Sequence, residues 1–416
     1  MFVLLNGAKF ANLRASMSHP TLLRAVLSLC SALLIVQCKL PNGVAYTSSG
    51  TQILRAQPAD DGDAFPSQAA LNVPVESAAL NDSARYLAGL PALRGMDAFQ
   101  SLRATAAWKE HSQKLNDLWA DFDLRHGQHV RSWAGREIND LRSARAAFYP
   151  FSGPDFLFVN QFYPRAETYL LCGLEPCEPL PTWNSVSQED VGRGLNGLVT
   201  SLNSILQFSY FITKDMRQDL QATRFRGVLP VFMVMLARTG HVIESVDAVR
   251  LDANGSPIVF AAGQATVPGL LIRARGPNGP KRIFYFSQDL SDGALPPGGS
   301  FLRFAASLGK PAALVKSASY LMHESYFSHI RNHLLTQTSG VVQDPSGIPY
   351  RVLRERGVKV SLYGNYVSAL PIFKQYEQPD LAAAYLDPAN RAQPMSFGIG
   401  YLMDPKTTSL MVVRPQ

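Results

Sequence analysis

Long apolar runs, blocks of like charge and cysteines are all scarce in this 416-residue chain. No apolar run reaches the roughly 20 residues that a membrane-spanning helix needs, so the apolar stretch Ala25 to Val36 is too short for an ordinary membrane anchor. No run of five like charges exists, so the basic stripe of a nucleic-acid binder is missing and no nucleic-acid partner is expected. The sequence holds no G-x-S-x-G elbow and no H-E-x-x-H pair, and no repeat recurs at a fixed period. Only four cysteines are present, two of them among the first 45 residues.

The net charge of +7 suggests an acidic partner until its charges are located. Lys9, Arg14, Arg24 and Lys39 supply four of the 39 basic groups, and residues 1–45 contain no acid. The remainder carries 35 basic against 32 acidic side chains, which is nearly balanced. Hydrophobic residues at 46 % and charged residues at 17 % fit a globular body.

The basic excess therefore belongs to the leader. Ala25 to Val36 reads AVLSLCSALLIV directly after Arg24, the pattern of a signal-peptide apolar core behind a positive segment. Initiation at Met17 rather than Met1 would give that segment its usual length. Gly43-Val44-Ala45 offers small residues for cleavage after Ala45, whereas Cys38 offers a lipidation site whose preceding Gln37 is bulky for that purpose. A buried N-terminal helix is the plainer alternative. The expected location is the periplasm or the exterior, with membrane attachment through a lipid at Cys38 left open.

Residues 46–80 are rich in Ser, Ala, Pro, Gly and Asp and read as a flexible linker. From 81 to 416 one α+β domain is expected, helix-rich over 81–240 and strand-rich over 241–416. Trp108, Leu115, Trp119 and Phe122 recur on one helical face, which favours core anchors over a sugar-stacking surface. Gly127 and Gly135 are expected to divide that stretch. Ser152 should cap a short helix with Asp155 in its first turn, and Thr168 to Leu174 should form a strand. Ser187 opens a long amphipathic helix, and a second, apolar nearly all round, spans about 228–238.

Asn254-Gly255 and Gly276-Pro277-Asn278-Gly279 are hairpin signals. Later helices are expected at Phe301–Leu308 and Tyr326–Leu335, and strands at Val358–Tyr363, Phe397–Tyr401 and Leu410–Val413. The sum is a helical N-terminal part packed on an antiparallel or mixed β-sheet, with the helices on one face.

Candidate sites are few, and each has a plainer explanation. Gly192, Gly194 and Gly197 form G-x-G-x-x-G, but a polar capping segment precedes them where a dinucleotide site needs a strand, so close packing is the better reading. Cys172 and Cys177 flank a turn and would pair in an oxidising compartment; two free buried thiols are the equal alternative. A zinc site there would lack two ligands.

His323, His329 and His333 fall within eleven residues. His329 and His333, four apart on a helix, are candidate metal ligands, while His323, with Ser152 and Asp155 nearby, is a candidate catalytic group. Ser317, Ser319, Ser325 and Ser328 surround these histidines. Asp289 and the Gln343-Asp344 loop are candidate binding positions, although loop carboxylates commonly bond their own backbone.

Tyr149-Pro150-Phe151-Ser152-Gly153-Pro154-Asp155-Phe156, running on to Gly173-Leu174-Glu175-Pro176, resembles a motif in an uncharacterised family of exported bacterial proteins. Ser317 to His323 and Ser346-Gly347-Ile348-Pro349 resemble another part of the same family, so the likeness covers the chain from about residue 80 onward. It implies export and brings no activity, cofactor or oligomeric state. The leading expectation is an envelope protein that binds a cell-wall or carbohydrate ligand or has a structural role. The alternative is a periplasmic hydrolase or metal-dependent enzyme built on His323, His329 and His333.

Overall fold

The computed structural model describes residues 77–93, 97–180, 183, 187–210, 225–260, 267–401 and 403–415, all within one compact unit, Phe65–Gln416. The leader, Cys38, Ala45 and most of the expected linker lie outside the described residues. Among the described residues no helix is long and apolar enough to cross a membrane.

The fold is mixed α+β, as expected, and a helix-rich N-terminal region packs on a mixed sheet. Its longer helices are α1 (Ala78–Leu87), α2 (Ala106–Phe122), α3 (Gln128–Glu137), α4 (Phe156–Phe162), α5 (Gln188–Phe208) and α6 (Leu229–Arg238). Four more follow: α7 (Ser300–Ser307), α8 (Ser328–Gln337), α9 (Tyr350–Glu355) and α10 (Pro379–Leu386). The strands are β1 (Ala146–Tyr149), β2 (Thr168–Gly173), β3 (Val242–Leu251), β4 (Pro257–Phe260), β5 (Gly269–Gly276), β6 (Gly279–Ser287), β7 (Ala312–Val315), β8 (Gly340–Gln343), β9 (Lys359–Gly364) and β10 (Ser409–Arg414).

The ten strands among the described residues join one sheet in the order β4-β3-β5-β6-β2-β1-β7-β8-β10-β9. The five central strands, β6 to β8 in that order, run parallel to one another, and both wings are antiparallel. Both hairpin signals form: β3 pairs with β4 around Gly255, and β5 pairs with β6 around Gly279, where positive φ values of 83° and 91° suit glycine.

Helices cover both faces of the sheet, not one. Tyr169 and Leu171 of β2 point into a core shared with α1 to α6, whereas Leu170 and Cys172 point into a second core shared with α7 to α10. Parallel strands buried on both faces lose the polar alternation that marks a half-exposed strand. Ala146–Tyr149, Ala312–Val315 and Gly340–Gln343 are buried at every position.

Several local expectations shift. Gly127 does not break the helix; it sits in a π-turn, Asp123–Gly127, through which α2 runs into α3, and Gly135 lies inside α3. Asp155, not Ser152, caps α4 by accepting Phe158 N–H at 3.0 Å. Phe397–Tyr401 forms no strand. Trp108 and Trp119 are buried, so their stripe is core. Ser187 does cap α5, accepting Asp190 N–H at 3.1 Å.

The G-x-G-x-x-G glycines lie in the first turns of α5, behind the Ser187 cap. A Cβ on Gly194 would stand 1.9 Å from Cδ2 of the buried Phe225 ring, whereas one on Gly192 would meet nothing within 4 Å. The two positions should therefore respond oppositely to the same change. Gly194→Ala is expected to lose about 1–3 kcal/mol through overpacking. Gly192→Ala should gain up to about 1 kcal/mol from helix propensity. Urea unfolding of both variants checks this, and equal effects would remove the packing explanation.

Candidate functional site

The chain leaves β1, crosses through α4 and enters β2 on one side; β7 lies on the other side of β1 and continues through α8 to β8. Between the carboxyl ends of β1 and β7 the strand order thus reverses. In open sheets with parallel strands, that crevice is where ligands bind.

A buried polar network fills this position. Lys316, immediately after β7, places its ammonium 2.8 Å from Asp155 Oδ2, with side-chain exposures of 1 % and 0 %. The same ammonium donates to the carbonyl of Ser209, which caps α5, and lies 4.2 Å from the centre of the Phe158 ring. The helix C-terminus and the ring face both favour a cation there. Tyr149 donates to Asp155 Oδ2 at 3.0 Å. Burial lowers the Lys316 pKa, and Asp155 opposes that shift by its charge and hydrogen bond. The Tyr149 phenol is pushed far up by burial and by Asp155, so it remains a neutral donor.

Asp344, just beyond β8, holds the neighbouring loop. Its Oδ2 accepts Ser317 N–H at 2.8 Å, and its Oδ1 accepts Ser346 N–H at 2.9 Å together with the Ser346 hydroxyl. Burial raises its pKa; the bonds from Ser346 and Ser317 and the charge of Lys316 act the other way. Ala318 N–H donates to Ser346 Oγ at 2.8 Å, and Ser319 N–H to Tyr401 Oη at 3.0 Å. Three successive amides are thus held by side-chain oxygens.

They hold an unfavourable backbone in place. Ser317, Ser319 and Tyr320 have φ values of 51°, 51° and 55°, and Phe151 and Ser209 near the same strand ends have 59° and 58°. Left-handed non-glycine residues cost about 1–3 kcal/mol each and cluster at functional sites. A cavity of about 10 Å³, room for a single water, adjoins Asp344, Tyr320 and Tyr401.

Of the expected catalytic trio, each residue bonds to other partners, and no hydrogen bond joins His323 to Ser152 or Asp155 among the described residues. Asp155 belongs to the Lys316 network. Ser152 Oγ accepts Cys172 N–H at 3.1 Å and lies 2.8 Å from Gly153 O, clasping the β1 and β2 ends together. His323 Nε2 lies 3.2 Å from Pro345 O, and its ring packs edge-on against Tyr320 and Tyr376. Gln343 staples its own loop, donating to Ile348 O at 2.8 Å and accepting Ile348 N–H at 3.0 Å. Asp289 makes an Asx turn by accepting Ser291 N–H at 2.8 Å.

Two further expectations are corrected. Cys172 and Cys177 are both free thiols, because Cys172 points into one core of the sheet and Cys177 into the other. Burial pushes each thiol up to about 12. The metal expectation for His329 and His333 also fails: among the described residues no group of three His, Cys, Asp or Glu could hold a metal. His329 Nδ1 lies 2.8 Å from Leu295 O, while His333 packs edge-on against Phe148.

Lys316 itself went unnoticed at the sequence level. Its signal was a lone cation closing the apolar run Ala312-Ala313-Leu314-Val315. No protein family, curated protein or solved structure matches this chain.

Removing one member of the buried pair leaves the other charge uncompensated. Lys316→Met is expected to lose about 3–5 kcal/mol in urea unfolding, and adding Asp155→Asn should recover part of that loss. If the two changes simply add, the pair is not coupled.

Acid should also destabilise the fold. Burial lowers His111, His126, His323 and His333 to about 4 and His241 to about 3, against an ordinary value of 6.5. The unfolded chain then binds more protons between pH 6.5 and 4, so stability is full above 6.5 and falls as the pH drops through that window. Melting temperatures measured from pH 7.5 to 4 check the sign, and a flat profile would contradict it.

Proposed function

We propose that this chain is exported to the cell envelope and binds a carbohydrate ligand on the aromatic surface above the strand carboxyl ends. The observation that carries the reading is a stack of rings ending at the surface beside a carboxylate. Tyr320 stacks on Tyr376 at 5.3 Å between centroids with 4° between planes, and also on Tyr401 at 6.4 Å. Tyr376 Oη donates to Glu324 Oε1 at 2.6 Å, and Tyr326 and Ile372 are exposed.

Sugar rings present apolar C–H faces and a rim of hydroxyls. Exposed aromatic rings suit the faces, and carboxylates accept the hydroxyls. Glu324 supplies the acceptor here, and His323, kept neutral by burial, stands against Tyr376. The leader at Ala25–Val36, with cleavage after Ala45 or lipid attachment at Cys38, supports delivery to the compartment where cell-wall glycans lie.

Glycan-array and calorimetric binding with cell-wall oligosaccharides tests the ligand class. Tyr326→Ala should weaken binding about tenfold, the equivalent of one ring contact, with an unchanged melting temperature. The mature N-terminus, read by mass spectrometry from fractionated cells, should begin after Ala45 or at Cys38. Wild-type protein that binds no glycan would overturn the ligand class, and an unclipped cytoplasmic chain would overturn export.

A further inference from the structure

The Lys316–Asp344 network satisfies almost every polar atom it contains, and the exception is informative. Ser317 Oγ is buried and has no hydrogen-bond partner among the described residues. A buried hydroxyl left unpaired is uncommon and asks for a reason, such as a catalytic role. Its surroundings supply one. Ser317 lies just past the carboxyl end of β7 at the reversal of strand order, in a left-handed conformation with φ 51°. A strained serine on a sharp turn after a central parallel strand is how several hydrolases present a nucleophile. Asp344 Oδ2 lies 2.8 Å from the backbone nitrogen of the same residue.

We propose that Ser317 is the nucleophile of an acyl-transfer site, with Asp344 as its proton acceptor and an ester or amide as substrate. The Ser317 oxygen forms a bond to the acyl carbon while its proton passes to Asp344. The bond from that carbon to the leaving alcohol or amine breaks, and Asp344 returns the proton to the leaving group. Water then attacks the acyl-serine and gives a proton to Asp344. The carboxylic acid departs as the Ser317 oxygen takes that proton back.

Burial raises the affinity of Asp344 for a proton, which suits a carboxylate working as a base. The amide of the residue after a serine nucleophile commonly stabilises the oxyanion. Here Ala318 N–H is held by Ser346 Oγ at 2.8 Å, a hydroxyl that a substrate oxygen must displace, and the single-water cavity beside Asp344 and Pro345 must widen to admit that substrate. This activity does not rest on the carbohydrate reading: the acyl group could be carried by a glycan or by any other alcohol or amine.

A fluorophosphonate probe on the full purified chain tests the assignment. The serine oxygen would bond to phosphorus, fluoride would leave, and the adduct mass would appear on the peptide containing Ser317. The adduct is expected on folded wild-type protein, retained in Ser319→Ala and slowed at least tenfold in Asp344→Asn. It should vanish in Ser317→Ala at an unchanged melting temperature. Peptide mapping of the wild type needs no variant to fold. Folded wild-type protein that takes up no probe, or carries it only on other residues, overturns the proposal.

Discussion

The carboxyl edge of the sheet depends on one charged contact, that between Lys316 and Asp155. Taking both charges out of water costs several kcal/mol apiece, and their attraction offsets this only when every remaining donor and acceptor is satisfied. Asp155 meets the condition by accepting from Lys316, Tyr149 and the amide of Phe158. Lys316 meets it with Asp155, the Ser209 carbonyl and the Phe158 ring. A hydrophobic pair of the same volume would cost less to bury. What it could not do is tie the end of β7, the start of α4 and the end of α5 to one point with directional bonds.

That tie lets the adjoining backbone hold conformations it would otherwise leave. Three left-handed residues within Ser317–Tyr320 are worth several kcal/mol of strain at about 1–3 kcal/mol each. Asp344, Ser346 and Tyr401 oppose it through the amides of three consecutive residues, and Tyr401 Oη donates in turn to Ser317 O at 2.8 Å. Gly400 permits the close approach, since a Cβ there would lie 2.1 Å from Asp344 Oδ2.

The sequence was most readable where turn chemistry, a cap or a helix-long apolar run left a local signal. The hairpins at Gly255 and Gly279, the α5 cap at Ser187 and the apolar α6 all carried local signals of turn chemistry or periodicity. The strands that build the site did not. Ala146–Tyr149, Ala312–Val315 and Gly340–Gln343 are four residues each, buried on both faces, and so lack the alternation that marks a strand. Missing them hid the parallel centre, the helices on the second face and the reversal of strand order between β1 and β7. Asp155 and Asp344 were picked out as single residues, but their shared surroundings were not. Pairing them with Lys316 requires contacts across more than 150 positions in one case and 27 between Ser317 and Asp344 in the other. The cysteines show the converse: a spacing of five suggested a bridge, and a strand between two cores sent the thiols apart.

The interior network and the surface rings form one physical series. Asp344 fixes Ser317; Tyr401 bonds Ser317 and stacks on Tyr320; Tyr320 stacks on Tyr376; and Tyr376 bonds Glu324. Every member apart from the terminal carboxylate is held on at least two sides, so the rings are fixed in place without a ligand. A surface ordered in advance would lose little conformational entropy on binding the carbohydrate proposed for it. The buried charge pair is then the foundation of the exposed surface: its stability cost is met inside the protein, at the carboxyl edge of the sheet, and its return is rigidity at the surface.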